Sequence, residues 1–210
     1  MLERIPPREW KDLTIAWLAI ALAFTLIFVR ANIGDVLGFL IFFAISLVTV
    51  GIGFVLHEMS HKFSAIRFGY WAEFQKNTQM LLIAVVLAAL AGIVFAAPGA
   101  TMIYGGPPSR EQNGKISVAG PLTNLLLCIP FGLIYFGGAM GPLGLIGLII
   151  GTVGFQVNAM IAFFNMLPVS VLDGRKILSW SKPVFAVMFL VTLGVLYLSL
   201  TSLYLSGVSL

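Results

Sequence analysis

Apolar residues fall in six helix-length runs along the chain, and polar residues are confined to short intervals between them. The runs cover residues 13–29, 36–56, 80–97, 116–136, 143–167 and 183–205. A helix needs about 20 apolar residues to cross the hydrocarbon core of a bilayer. The pattern therefore predicts five to six transmembrane helices. Trp10 and Trp17 are placed to anchor the first of them at the membrane interface. The segment GGPPSREQNGK, residues 105–115, is the clearest loop, being rich in Gly, Pro, Ser and Asn. Just before it, AAPGATMIYGG, residues 96–106, holds Pro98 and Gly99, which break helices, and Thr101, Ile103 and Tyr104, which suit a short strand. No internal repeat, low-complexity tail or appended soluble domain is visible. Residues 1–210 are read as a single membrane-embedded domain.

Composition agrees with this pattern. The chain is 60% hydrophobic and only 10% charged, whereas soluble domains carry about 25% charged residues. So much apolar surface cannot be hidden inside one small globule, and a multi-pass protein of the lipid bilayer is expected. The net charge of +4 does not indicate nucleic acid. No Lys/Arg stripe with interleaved aromatics is present, and basic residues at the ends of membrane helices are expected. Cys128 is the only cysteine, which excludes an internal disulfide. The N-terminal MLERIPPREWKD mixes acids with bases, and no small-residue cleavage site follows it. The first apolar run is thus read as a retained helix rather than a secretion signal.

Charge chooses between the topologies. If all six runs span, the twelve Lys and Arg residues divide six against six. If 80–97 instead dips in and returns, eleven share one side and only Arg30 opposes them. The positive-inside rule favours the second arrangement. It predicts an all-α polytopic membrane protein with five full crossings, a re-entrant element at 80–97 and a short membrane-embedded β segment. The N-terminus would be cytoplasmic, the C-terminus external and the location the cell membrane. Backbone that is not helical at membrane depth must be covered by protein or line a water-filled cavity.

The chemistry is concentrated in HEMSH, residues 57–61, which holds the only two histidines of the chain, His57 and His61. Residues four apart share one helix face, so both imidazoles can bind one metal ion with Glu58 beside it. A catalytic zinc site wants three protein ligands and an open position. With no third histidine, the remaining ligand must be a carboxylate. Glu3, Glu9 and Asp12 read as solvated terminal residues, Asp35 falls at the opposite end of the HEMSH helix, and Glu73 and Glu111 lie in loops. Asp173 closes FFNMLPVSVLDG, residues 163–174, where Pro168 should break the preceding helix. His57 and Asp173 can meet only if their membrane segments run parallel, which again requires that 80–97 does not cross.

The pieces HEMSH and NMLPVSVLDG (165–174), with AGPLTN (119–124) and PGATMIYG (98–105), resemble the site-2 protease family of intramembrane zinc metalloproteases. The second piece is similar to that family's N-x-x-P-x-x-x-x-D-G pattern at Asn165, Pro168, Asp173 and Gly174. The resemblance spans a catalytic core of about 36–178, with Arg175 where a second glycine is frequent and with no PDZ or nucleotide-sensing domain. It implies one zinc ion per chain held by His57, His61 and Asp173, with Glu58 as general base. Asn165 would position substrate or stabilise an oxyanion. Asn124 would line the path to the site or cross-link helices, and the strand at Thr101 and Ile103 would hold an unwound substrate. The partner so implied is a transmembrane protein substrate cut near the cytoplasmic side, with no nucleotide or nucleic acid involved. Two other readings stay open. One is a non-catalytic membrane metal-binding or metal-transport protein. The other is a membrane-surface protease using Glu111 as third ligand.

Overall fold

Five of the six apolar runs fold into helices long enough to cross a bilayer. The computed structural model describes residues 5–30, 34–92, 99–141 and 143–206, so Glu3, Arg4 and Pro98 lie outside it. In chain order the elements are α1 (Pro7–Phe28), α2 (Val36–Arg67), β1 (Trp71–Lys76), α3 (Thr78–Ala91), β2 (Gly99–Tyr104), α4 (Arg110–Ala139), α5 (Gly144–Asn165), α6 (Asp173–Trp180) and α7 (Lys182–Ser206). The helix starts follow local chemistry. Asp35 caps α2 by accepting from the Gly38 N–H, and Ser109 and Gln112 form a reciprocal capping box at α4. The α2 helix does not stop after HEMSH but continues to Arg67. The motif therefore sits within a helix and not at its last turn.

The sixth run behaves differently. Its helix, α3, has 14 residues, about 21 Å at 1.5 Å per residue, against a hydrocarbon core of about 30 Å. The strands on either side of it pair antiparallel, with Lys76 opposite Gly99 and Trp71 opposite Tyr104. The chain thus leaves for α3 and comes back to the same place. At the far end, Arg30 Nη2 donates to the carbonyl of Leu90 at 2.9 Å, joining the end of α3 to the end of α1. The end of α2 and the start of α4 also lie together, with the Tyr70 hydroxyl donating to Gln112 Oε1 at 2.8 Å. The excursion between them leaves the parity of the crossings unchanged, as the charge distribution requires. The partner strand β1 is absent from the sequence reading. Its signal is the period-2 burial of Ala72 and Phe74 in WAEFQK.

α2 lies at the centre of the bundle, packed by α1, α4 and α5, while α4 and α5 form the most extensive helix pair. Close approach depends on small residues, as expected where lipid supplies no hydrophobic drive between helices. A Cβ on Gly151 would lie 2.2 Å from the backbone nitrogen of Tyr135. The α7 helix packs on α5 and α6 at the periphery.

Several sequence expectations are corrected here. Trp17 is not an interfacial anchor: its Nε1 donates to the carbonyl of Leu47 at 2.9 Å, and its ring fills the space over Gly51. Glu9 and Asp12 are not solvated. Glu9 is buried against Lys62, which is 0% exposed, and accepts from the Phe74 N–H at 2.9 Å. Asp12 accepts from Lys76 Nζ at 2.8 Å. The two acids thereby tie α1 to α2 and to the open edge of β1. Glu73 lies in β1 and Glu111 in the first turn of α4, not in loops.

This arrangement fixes which chain positions share a membrane face. Cysteines introduced at Arg8 and Glu111 should react with an impermeant thiol reagent from one side, and a cysteine at Asp35 from the other. Labelling of the Arg8 and Glu111 positions from opposite sides would show that α3 crosses.

Candidate metal centre

The spacing of buried positions along α2, at Val50, Phe54, His57, His61 and Ala65, keeps one face turned into the bundle. Both histidines project from that face. Their Nε2 atoms are 3.1 Å apart. The third group arrives from a different part of the chain. α5 ends at Asn165, and Pro168 prevents its continuation. The irregular stretch that follows includes Ser170 at a φ of 50° and delivers Asp173 to the first residue of α6. Asp173 Oδ2 lies 3.5 Å from His57 Nε2 and 3.0 Å from His61 Nε2. All three side chains are buried.

The protons on the two imidazoles are fixed from behind. His57 Nδ1 is 2.6 Å from Asn124 Oδ1, and His61 Nδ1 is 2.8 Å from the carbonyl of Ile116. A carbonyl oxygen can only accept, so each Nδ1 carries the hydrogen and each Nε2 presents a lone pair. Two nitrogen lone pairs and a carboxylate oxygen then converge in an apolar interior, an arrangement that needs a positive charge between them. Their separations match about 3.3 Å, the spacing of tetrahedral ligands placed about 2.0–2.1 Å from zinc. His57, His61 and Asp173 are the group that could hold a metal ion among the described residues. The other Asp173 oxygen, Oδ1, lies 3.4 Å from Lys176 Nζ, which sets a positive charge beside the carboxylate without occupying the oxygen that faces the histidines.

Beside the triad is a cavity of about 80 Å³, lined by Glu58, Thr101, Ile103, Asn113, Asn165 and Lys176 among others. Thr101 Oγ1 donates to Glu58 Oε2 at 3.0 Å, so a strand residue holds one oxygen of the motif carboxylate. Thr101 is therefore in contact with the acid itself, a closer relation than the substrate contact expected of it. Asn165 lines the cavity while its Nδ2 donates to the Ile161 carbonyl of its own helix. Of the two places expected for Asn124, along the path to the site or between helices, it takes the second: it is fully buried behind His57, bonded to the Gly53 carbonyl and to Asn158, and away from the cavity lining. Glu111 is exposed and pairs with Lys115 at 2.5 Å, so the geometry offers it no part in the centre.

Two features escaped the sequence reading. Gly120 lets α4 press against the ligands: a Cβ there would fall 2.4 Å from His61 Nε2 and 2.6 Å from His57 Nε2. Asn158 is completely buried on α5 and bonded to Asn124. Its signal was available, since a polar amide in the middle of an apolar membrane run is costly and marks a function by default.

Fold and centre together define a polytopic membrane protein with a buried group of two histidines and one carboxylate that could hold a metal ion. Over 191 residues, 91% of this chain and 94% of the relative, the sequence is 38% identical to "Putative zinc metalloprotease MJ0611" of Methanocaldococcus jannaschii. YwhC of Bacillus subtilis, which carries the same designation, is 28% identical over 145 residues, 62% of this chain and 66% of its own. The chain belongs to this zinc metalloprotease family. No protein-family profile matches it, and no solved structure matches it.

The geometry sets a test of the centre. Purified protein should contain about one zinc per chain, as a three-ligand site implies. Asp173→Ala should abolish it, and Gly120→Ala should lower metal affinity at least about tenfold by pushing a methyl group between the ligands. Elemental analysis after dialysis checks both, and full zinc in Asp173→Ala would remove that residue from the site.

Proposed function

We propose that the chain is an intramembrane zinc endopeptidase of the site-2 protease type, which hydrolyses peptide bonds within or beside the transmembrane segments of membrane-protein substrates. The observation that carries this reading is the burial of the His57, His61 and Asp173 triad and Glu58 inside a bundle of membrane spans, next to a cavity edged by a strand. Twenty-one residues of α2 precede His57, about 32 Å of helix, close to one hydrocarbon thickness. Such a depth is where water and the end of a substrate helix can both reach the site. The clustering of basic residues at that end makes it the cytoplasmic side by the positive-inside rule.

A zinc ion held by the triad would supply Lewis acidity toward a peptide carbonyl and acidify water. The residues of the chain do the rest. The Glu58 carboxylate takes the proton of the attacking water and returns it to the leaving amine nitrogen. Thr101 keeps that carboxylate turned toward the cavity. Asn165 lines the same cavity, which supports a role in holding the substrate backbone, through its Oδ1 because its Nδ2 is bonded to Ile161.

A substrate helix must be opened before cleavage, because its carbonyls are engaged in helical hydrogen bonds. The β1–β2 ribbon supports a role in this. One edge of β1 is covered by Glu9 and Asp12 of α1, and the two-stranded sheet leaves β2 as the strand beside the cavity. An unwound segment can add to such an edge, with main-chain hydrogen bonds giving affinity.

Co-expression with tagged single-span membrane proteins, followed by mass spectrometry of the products, tests the reading. Cuts within or at the border of the apolar segment are expected, and cuts confined to soluble loops would overturn the intramembrane assignment. Glu58→Gln should keep zinc and reduce cleavage by about 10²–10⁴-fold; near-normal turnover in that variant would end the general-base role. Proline at Ile103 should impair cleavage and leave zinc in place, and unaltered cleavage would count against strand addition.

A further inference from the structure

A chain of buried amides runs from α5 through α4 to the metal ligand on α2. Asn158 and Asn124 are each 0% exposed. Asn158 Nδ2 donates to the carbonyl of Gly154 at 2.8 Å. Asn124 Nδ2 donates to Asn158 Oδ1 at 2.9 Å and to the carbonyl of Gly53 at 3.1 Å. Asn124 Oδ1 then faces His57 Nδ1.

The polarity of this chain is set at its ends. The carbonyls of Gly154 and Gly53 can only accept. The Asn158 amide nitrogen must therefore face Gly154, which turns Asn158 Oδ1 toward Asn124. Both hydrogens of Asn124 Nδ2 are then committed, one to Asn158 and one to Gly53. Only the oxygen of Asn124 is left for His57, so the proton of His57 must be on Nδ1. Turning either amide over would set oxygen against oxygen in an apolar interior, where unpaired polar groups are most costly.

We propose that Asn124 and Asn158 form a positioning relay that fixes the tautomer and orientation of His57, so that metal affinity is set in part by a residue on α5 that touches no ligand. α5 is also the helix whose broken end delivers Asp173. The relay thus registers the helix carrying one ligand against the helix carrying another. Neither amide is a catalytic residue. The inference rests on the reading of His57 as a metal ligand.

The test measures Zn²⁺ affinity of the full-length protein in detergent, by competition with a chromophoric chelator, alongside the thermal unfolding midpoint. Partners behind a ligating histidine are typically worth about 10–100-fold in metal affinity. Asn124→Leu should lose an amount in that range and Asn158→Leu about tenfold. In the double variant the Asn158 effect should vanish, because it acts only through Asn124. Asn124→Asp, which keeps an oxygen facing His57 Nδ1 and changes the size little, should hold zinc far more tightly than Asn124→Leu even if its unfolding midpoint falls. Equal zinc affinity in Asn158→Leu and wild type would overturn the relay and leave the metal centre standing, as would strictly additive losses or equal affinities in the Asp and Leu variants at 124. Absence of zinc binding by wild-type protein would overturn the metal reading and the relay with it.

Discussion

Electron pairs buried in an apolar bundle must be matched by hydrogens or by a cation, and the whole centre is arranged around that need. Each histidine spends its Nδ1 hydrogen on an oxygen held by α4, the Asn124 amide for one and the Ile116 carbonyl for the other. What remains on the open side is a set of acceptors aimed at one point, with a carboxylate among them. A divalent cation is the group whose charge and ligand preference fit this set, and the centre would pull a substrate carbonyl toward it only when that cation is present.

Bringing those acceptors together is a problem of chain direction. Asp173 and the histidines come from segments that must run the same way through the bilayer, with α4 alone crossing between them. The paired strands β1 and β2 solve this by turning the apolar run at 78–91 into an excursion that ends beside its own start. The ribbon is not only a topological device. It also carries Thr101, whose hydroxyl steadies Glu58, so the element that restores the direction of the chain also shapes the cavity next to the metal ligands.

Much of this could be read from the residues. HEMSH declares its own geometry, because a four-residue spacing has only one meaning on a helix. Asp173 was reachable by elimination and by parity, and the lone position of Arg30 carried the parity. Pairwise choices were harder to read. Acids near a chain terminus look solvated until a particular lysine is known to face them, as Lys62 faces Glu9. A tryptophan near the start of a membrane helix serves equally well at an interface or over a glycine, and Trp17 does the latter. β1 is only six residues long, and its alternation is too brief to stand out from the helix before it. In each case the missing information is the identity of a distant partner, which local pattern does not encode.

The ion pair between Lys62 and Glu9 gives α1 a place in the active unit that no motif assigns to it. Lys62 follows the second ligand histidine directly, has no solvent exposure and lies 5.5 Å from the centroid of the Trp71 ring. Without the carboxylate of Glu9 its ammonium would be an uncompensated charge in the interior, one residue along the chain from His61, and an isolated buried charge of this kind is strongly destabilising. The smallest piece of this chain able to hold its centre together is therefore bounded by electroneutrality. It begins no later than Glu9, well before the helix on which the chemistry is written.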